Sequence, residues 1–140
     1  RRGRLEKLTK GSLKALAPSN TIICDIAHNP DAAYALSKYL STLGKNKKIY
    51  IICGMMKNKI HKKFLSNFKY AKEIISIDIP NNKNCIKKDS LKKIIKKIGI
   101  KSSTSNSIQA AIKYVSNKDS NSTILIVGSI YLIGEVLNLN

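Results

Sequence analysis

The strongest constraint on this chain is a repeated pairing of a short apolar run with a stretch of helical spacing. Residues 21–25, 48–53 and 122–127 are almost wholly apolar over five or six positions. Runs of that length are too short for a buried helix and read as strands covered on both faces. Residues 73–79 alternate and predict a further strand, closed by Pro80 and the Asn81-Asn82-Lys83-Asn84 loop. Between these runs the period changes from two to nearly four. Pro30 opens a helix predicted to reach about Leu43, with Ala33, Leu36, Leu40 and Leu43 on one face. Asn29 is placed to cap it and Gly44 to stop it. Residues 61–70 predict a short helix with Phe64, Leu65 and Phe68 inward. In 89–98, Leu91, Ile94, Ile95 and Ile98 form an apolar stripe opposite Lys92, Lys93, Lys96 and Lys97. The polar stretch 102–107 reads as a turn and helix cap. It is followed by a helix with Ile108, Ala111, Ile112 and Val115 inward. After the last strand, Gly128-Ser129 turns the chain into a final helix holding Leu132, Ile133, Val136 and Leu137. Four buried strands separated by helices predict an α/β fold: three layers, with a mostly parallel sheet and helices on both faces.

At 140 residues the chain holds one domain core, and no linker or internal repeat divides it. No run approaches the roughly 20 apolar residues of a membrane span. The basic start, Arg1-Arg2-Gly3-Arg4, is not followed by the apolar segment and cleavage site of a signal peptide, so a cytoplasmic location is the expectation. Cys24, Cys53 and Cys85 have no C-x-x-C spacing, and two of them lie in apolar runs, which predicts reduced structural thiols. With only two histidines, His28 and His61, a zinc site has few ligands to draw on. The formal net charge of +18 raises the alternative of a Lys-rich nucleic-acid-binding domain without catalysis. Against it, only three of the 26 basic residues are arginine, and aromatic residues make up just 6%. The first leaves few groups for base-edge recognition and the second gives no stacking platform.

In open parallel sheets, ligands collect where strands end and helices begin. Two segments have that grammar. Asp25-Ile26-Ala27-His28-Asn29-Pro30 sets a carboxylate at a strand end, then an imidazole, then the amides of a helix start. A carboxylate there can accept hydrogen bonds from a ribose diol, and the helix start favours a nearby anion. The same residues also suit a plain helix cap. Gly128-Ser129 combines a residue free to turn tightly with a hydroxyl near a helix start; it too is either a ligand contact or a cap. No G-x-x-x-x-G-K-[ST] phosphate loop, G-x-G-x-x-G turn or G-x-S-x-G elbow is present. Eight acidic residues give little from which to build a magnesium cage.

Four segments in order, Gly3-Arg4-Leu5-Glu6, Asp25-Ile26-Ala27-His28-Asn29-Pro30-Asp31-Ala32-Ala33, Cys53-Gly54-Met55-Met56 and Gly128-Ser129-Ile130-Tyr131-Leu132-Ile133-Gly134-Glu135-Val136-Leu137, resemble one known domain. It is the C-terminal domain of folylpolyglutamate synthase/dihydrofolate synthase, in the Mur ligase superfamily, and the likeness runs from Arg4 to Leu137. The resemblance implies a Rossmann-like Mur ligase C-terminal domain over residues 1–140. It implies an ATP-dependent ligase that phosphorylates a carboxylate of folate or dihydropteroate and lets L-glutamate attack the acyl phosphate. In that family the phosphate loop, the Mg²⁺ ligands and most pterin contacts belong to an N-terminal domain outside this chain. The resemblance therefore implies a domain that is inactive alone and works with that partner and with ATP. By the same resemblance Arg4 contacts ATP, Asp25 handles the nucleotide through its ribose, and His28 and Ser129 face the incoming glutamate or the reacting phosphate. A Mur-type ligase using another amino acid is the remaining alternative. The chain departs from the family pattern at Asn58-Lys59-Ile60, where an acidic-Lys-acidic triplet is usual, and at Arg1-Arg2, which lacks the usual proline.

Overall fold

The computed structural model describes residues 2–43 and 47–140. The elements in chain order are β1 (Glu6–Lys7), α1 (Ser12–Leu16), β2 (Thr21–Asp25), α2 (Pro30–Leu40), β3 (Ile49–Cys53), α3 (His61–Leu65), β4 (Glu73–Ser76), α4 (Lys88–Lys97), β5 (Ser102–Thr104), α5 (Ile108–Lys118), β6 (Thr123–Val127) and α6 (Ile130–Leu139). They form one six-stranded sheet ordered β1-β2-β6-β3-β4-β5. All neighbouring pairs are parallel except β1 on β2.

Strand side chains alternate between two cores. Ile22, Cys24, Ile52, Ile75, Ile124 and Ile126 point to one face, where α1, α5 and α6 bring Leu13, Ile112, Val115, Leu132 and Val136. Ile23, Ile51, Cys53, Ile74, Leu125 and Val127 point to the other, against Leu36, Phe64, Phe68, Leu91 and Ile95 of the layer built from α2, α3 and α4. The strands read as continuous apolar runs because both faces are covered. The crossover through α2 from β2 to β3 and the return through α5 from β5 to β6 run in opposite directions along the sheet. Right-handed connections therefore put these helices on opposite faces.

Several boundaries differ from the sequence expectation. The sheet has six strands rather than four. β1 has two residues and β5 is Ser-Ser-Thr, so neither carries an apolar signal; both are edge strands and need none. Residues 102–107 are thus not a turn throughout. The strand predicted over 73–79 leaves its ladder after Ser76, although Ile77 and Ile79 stay buried. The helix from Pro30 ends at Leu40 and tightens into a 3₁₀ turn over Ser41–Leu43, and Gly44, its predicted stop, lies outside the described residues. The helix predicted over 61–70 is α3 followed by a 3₁₀ turn, Ser66–Phe68. The short α1 was not anticipated. Cys24, Cys53 and Cys85 are all buried and unpaired, and no described helix is long and apolar enough to cross a membrane.

Candidate functional site

The three central strands end at one level. Asp25 is in register with Val127, and Val127 with Cys53, so the residues that follow each strand meet on a single rim. There the Gly128 amide donates to the Ala27 carbonyl at 3.1 Å. Gly128 has φ of +129°, and a Cβ on it would stand 2.3 Å from the Gly54 carbonyl oxygen. Only glycine lets β6 turn this close to the end of β3. Two helices start on the rim with side-chain caps. Asn29 accepts the Ala32 amide at 2.9 Å with Pro30 behind it, and Ser129 Oγ accepts the Tyr131 amide at 3.0 Å.

The chain reaches the same rim through the Gly3-Arg4-Leu5-Glu6 turn. Gly3 has φ of +80° and Leu5 φ of +46°. Two carboxylates hold this turn. One Glu6 oxygen accepts the Gly3 amide at 2.7 Å, and one Asp25 oxygen accepts the Leu5 amide at 2.9 Å. The second Asp25 oxygen accepts the Ala27 amide at 2.8 Å. The Ile26 amide closes the turn onto the Gly3 carbonyl at 2.8 Å. Asp25 is therefore a bracket between the Arg4 turn and the end of β2. A carboxylate offers about four lone-pair sites, so two remain for hydroxyl donors from outside.

Arg4, Leu5, Asp25, His28 and Asn29 line one open hollow of about 490 Å³, floored by Ala32 and Leu36 of α2. Arg4 is exposed, and among the described residues its guanidinium makes no hydrogen bond or ion pair. His28 Nδ1 lies 3.0 Å from the Ile26 carbonyl. A carbonyl can only accept, so Nδ1 carries the hydrogen and Nε2 is the nitrogen left for a ligand. The structure thus brings Arg4, Asp25 and His28 together. Ser129 is set apart: it is 2% exposed, caps α6 and does not line the hollow. A smaller hollow of about 400 Å³ on the same rim is lined by Met56, Lys57, Asn58, Lys59, Asn84 and Tyr131. Its loop is braced where His61 Nε2 meets the Met56 carbonyl at 2.8 Å and the Lys57 amide donates to the Asn84 carbonyl at 2.9 Å. Of the Asn58-Lys59-Ile60 segment, Asn58 and Lys59 line this hollow and Ile60 does not. Among the described residues no three His, Cys, Asp or Glu side chains are grouped to hold a metal ion.

The Glu6 clamp and the apolar floor from Ala32 and Leu36 were not foreseen as parts of the site. The spacing of Gly3 and Glu6 was a usable signal, since a carboxylate three residues after a glycine can reach back to its amide.

Residues 3–130 match the Mur ligase, glutamate ligase domain, family. This chain is a member of that family. Solved structures similar to this Mur ligase domain include Escherichia coli FolC in complex with DHPP and ADP, at a TM-score of 0.79 and 20% identity. A Mycobacterium tuberculosis folylpolyglutamate synthase complexed with ADP superposes at 0.83 with 18% identity, and the Thermotoga maritima folylpolyglutamate synthase at 0.78 with 20%. Each match covers 99% of this chain but only 31%, 32% and 30% of the other, so the domain spans about a third of their length. At these identities the likeness establishes the fold. Comparison with curated proteins gives no match.

Proposed function

We propose that this Mur ligase domain supplies one wall of the nucleotide site in an ATP-dependent ligase that joins L-glutamate to folate or dihydropteroate through an acyl phosphate. The observation that carries the reading is the shared hollow of Arg4, Asp25 and His28 on the rim where strands end and helices begin. ATP supplies the phosphoryl group that activates the substrate carboxylate. Arg4, a cation without a hydrogen bond or ion pair among the described residues, is suited to phosphate charge. Asp25 keeps acceptor capacity for a ribose diol, each such bond being worth about 1.5–3 kcal/mol. His28 keeps Nε2 for the reacting groups, and Ser129, which does not line the hollow, acts by capping the start of α6.

A second wall is needed. No phosphate loop or metal cage lies in the described residues, and the same rim exposes Leu5, Ile60, Ile130 and Tyr131 at 37, 63, 47 and 54%. Apolar side chains grouped beside a ligand hollow suit closure against another domain, which excludes water from an acyl phosphate. We assign that role to an N-terminal ATP- and Mg²⁺-binding domain of the kind the longer relatives have room for. The test is turnover. The purified 140-residue chain, given ATP, Mg²⁺, glutamate and dihydropteroate, should release no ADP. Joined to such an ATP-binding domain it should form product, and Asp25→Ala should then lower the rate. Product from the chain alone would overturn the split-site reading, and an unchanged rate would remove Asp25 from the site.

A further inference from the structure

We infer that Glu6 is the positioning residue for Arg4: its carboxylate locks the turn that aims the guanidinium into the hollow. The inference rests on the nucleotide reading above. Arg4 makes no side-chain hydrogen bond or ion pair among the described residues, so the backbone of its turn is what sets where the side chain starts. That backbone is held at both neighbours. The Gly3 amide is taken by Glu6 Oε1 at 2.7 Å and the Leu5 amide by Asp25 Oδ2 at 2.9 Å.

The two clamps are not equivalent. Asp25 also faces the hollow, so its loss removes a ligand contact together with a turn contact. Glu6 does not line that hollow, and its other oxygen points to Arg2 Nε at 3.3 Å. Its own register is fixed independently, since Glu6 pairs with Cys24 across β1 and β2. A side chain rooted in the sheet thus reaches back three residues and pins a turn with φ of +80° and +46° at its ends. The Leu5 value is one that leucine rarely adopts, whereas Gly3 takes its own without strain and no other residue would fit, since a Cβ there would lie 2.8 Å from Ile26. Without the carboxylate the Gly3 amide has only water to bond. The turn then relaxes toward ordinary backbone geometry, and Arg4 swings with it. Glutamate is suited to this task because it adds a charge-assisted hydrogen bond without occupying the ligand's space.

The experiment titrates the 140-residue chain with ADP and follows amide shifts in ¹H–¹⁵N spectra. The wild type is compared with Glu6→Ala, Glu6→Gln, Arg4→Ala and the Glu6→Ala/Arg4→Ala double variant. Arg4→Ala should weaken ADP roughly tenfold, as loss of one charge-assisted contact does. Glu6→Ala should weaken it by roughly three- to tenfold and Glu6→Gln, which keeps an acceptor for the Gly3 amide, by less. The double variant should be no worse than Arg4→Ala alone, because Glu6 acts only through Arg4. A merely structural role would lower the melting temperature and add to the Arg4 effect. Additive losses, or full affinity in Glu6→Ala while Arg4→Ala is weakened, would overturn the inference and leave the nucleotide reading standing. Failure of the wild type to bind ADP would overturn both.

Discussion

Adding one methyl group at Gly128 should be among the most damaging single changes this fold can suffer. Its Cβ would sit 2.3 Å from the Gly54 carbonyl oxygen and 3.1 Å from both Cys53 Sγ and Met55 Cγ. The nearest atom belongs to the backbone and cannot rotate aside. Relief requires β6 and β3 to separate, yet they are joined in register from Ile49↔Thr123 to Cys53↔Val127. Overpacking of this kind costs about 1–3 kcal/mol. Alanine at φ of +129° adds backbone strain of about 1–3 kcal/mol. The expected loss is about 2–6 kcal/mol, a large part of the ~5–15 kcal/mol that holds a domain together. At about 4 °C per kcal/mol for a chain of this size, the melting temperature should fall by about 8–24 °C. Thermal and urea unfolding followed by circular dichroism measure it. Gly134→Ala is the internal control. That glycine is exposed within α6, no atom lies within 4 Å of its Cβ position, and alanine should stabilise the helix by about 0.5–1 kcal/mol. A Gly128→Ala chain within about 1 kcal/mol of wild type would refute the close approach of strands on which the rim depends.

Glu73 predicts a pH dependence. It is buried, which alone would raise its pKa, but Ser103, Tyr114 and Lys118 donate to it at 2.6, 2.8 and 3.1 Å and hold it below the ordinary carboxylate range. Its contribution should be complete above the unfolded value of about 4.3 and be lost as pH falls through the lower folded value. Urea unfolding followed from pH 7 down to about pH 2.5 should show this fall below about pH 4, and Glu73→Gln should flatten it; an equal fall in the variant would exclude Glu73 as its source. The Cys24 thiol is pushed up to about 12 by burial and then by the charges of Glu6 and Asp25, and the Cys53 thiol to about 12 by burial. At pH 8 neither should be alkylated by iodoacetamide until urea unfolds the chain; rapid native labelling of either would contradict their placement.

The buried parts of the fold were the legible ones. β2, β3 and β6 are covered on both faces and so carry unbroken apolar runs, and α4 buries Leu91 and Ile95 while Lys93, Lys96 and Lys97 stay exposed. Edge strands escape this logic. β5 is joined to β4 with help from Ser102 Oγ on the Ile74 carbonyl at 2.7 Å, so hydroxyls there serve as well as aliphatic side chains. The candidate rim was legible as grammar: a carboxylate and imidazole at one strand end, a glycine and serine at another. Its wiring was not. That Asp25 reaches across 20 residues to the Leu5 amide depends on β1 pairing antiparallel to β2, and two residues of strand leave no periodic trace. The inward turn of Ser129 likewise follows from capping geometry that its hydroxyl satisfies within its own helix.

The most direct measurement maps where the nucleotide lands. With assigned ¹H–¹⁵N spectra of the chain, saturating ADP should move the amides of Arg4, Leu5, Asp25, Ala27 and His28 and leave the exposed lysines of α4 in place. Shifts spread over Lys93, Lys96 and Lys97, with the rim unmoved, would mean that the polyphosphate reads only the positive charge of the surface and that the hollow is no nucleotide site.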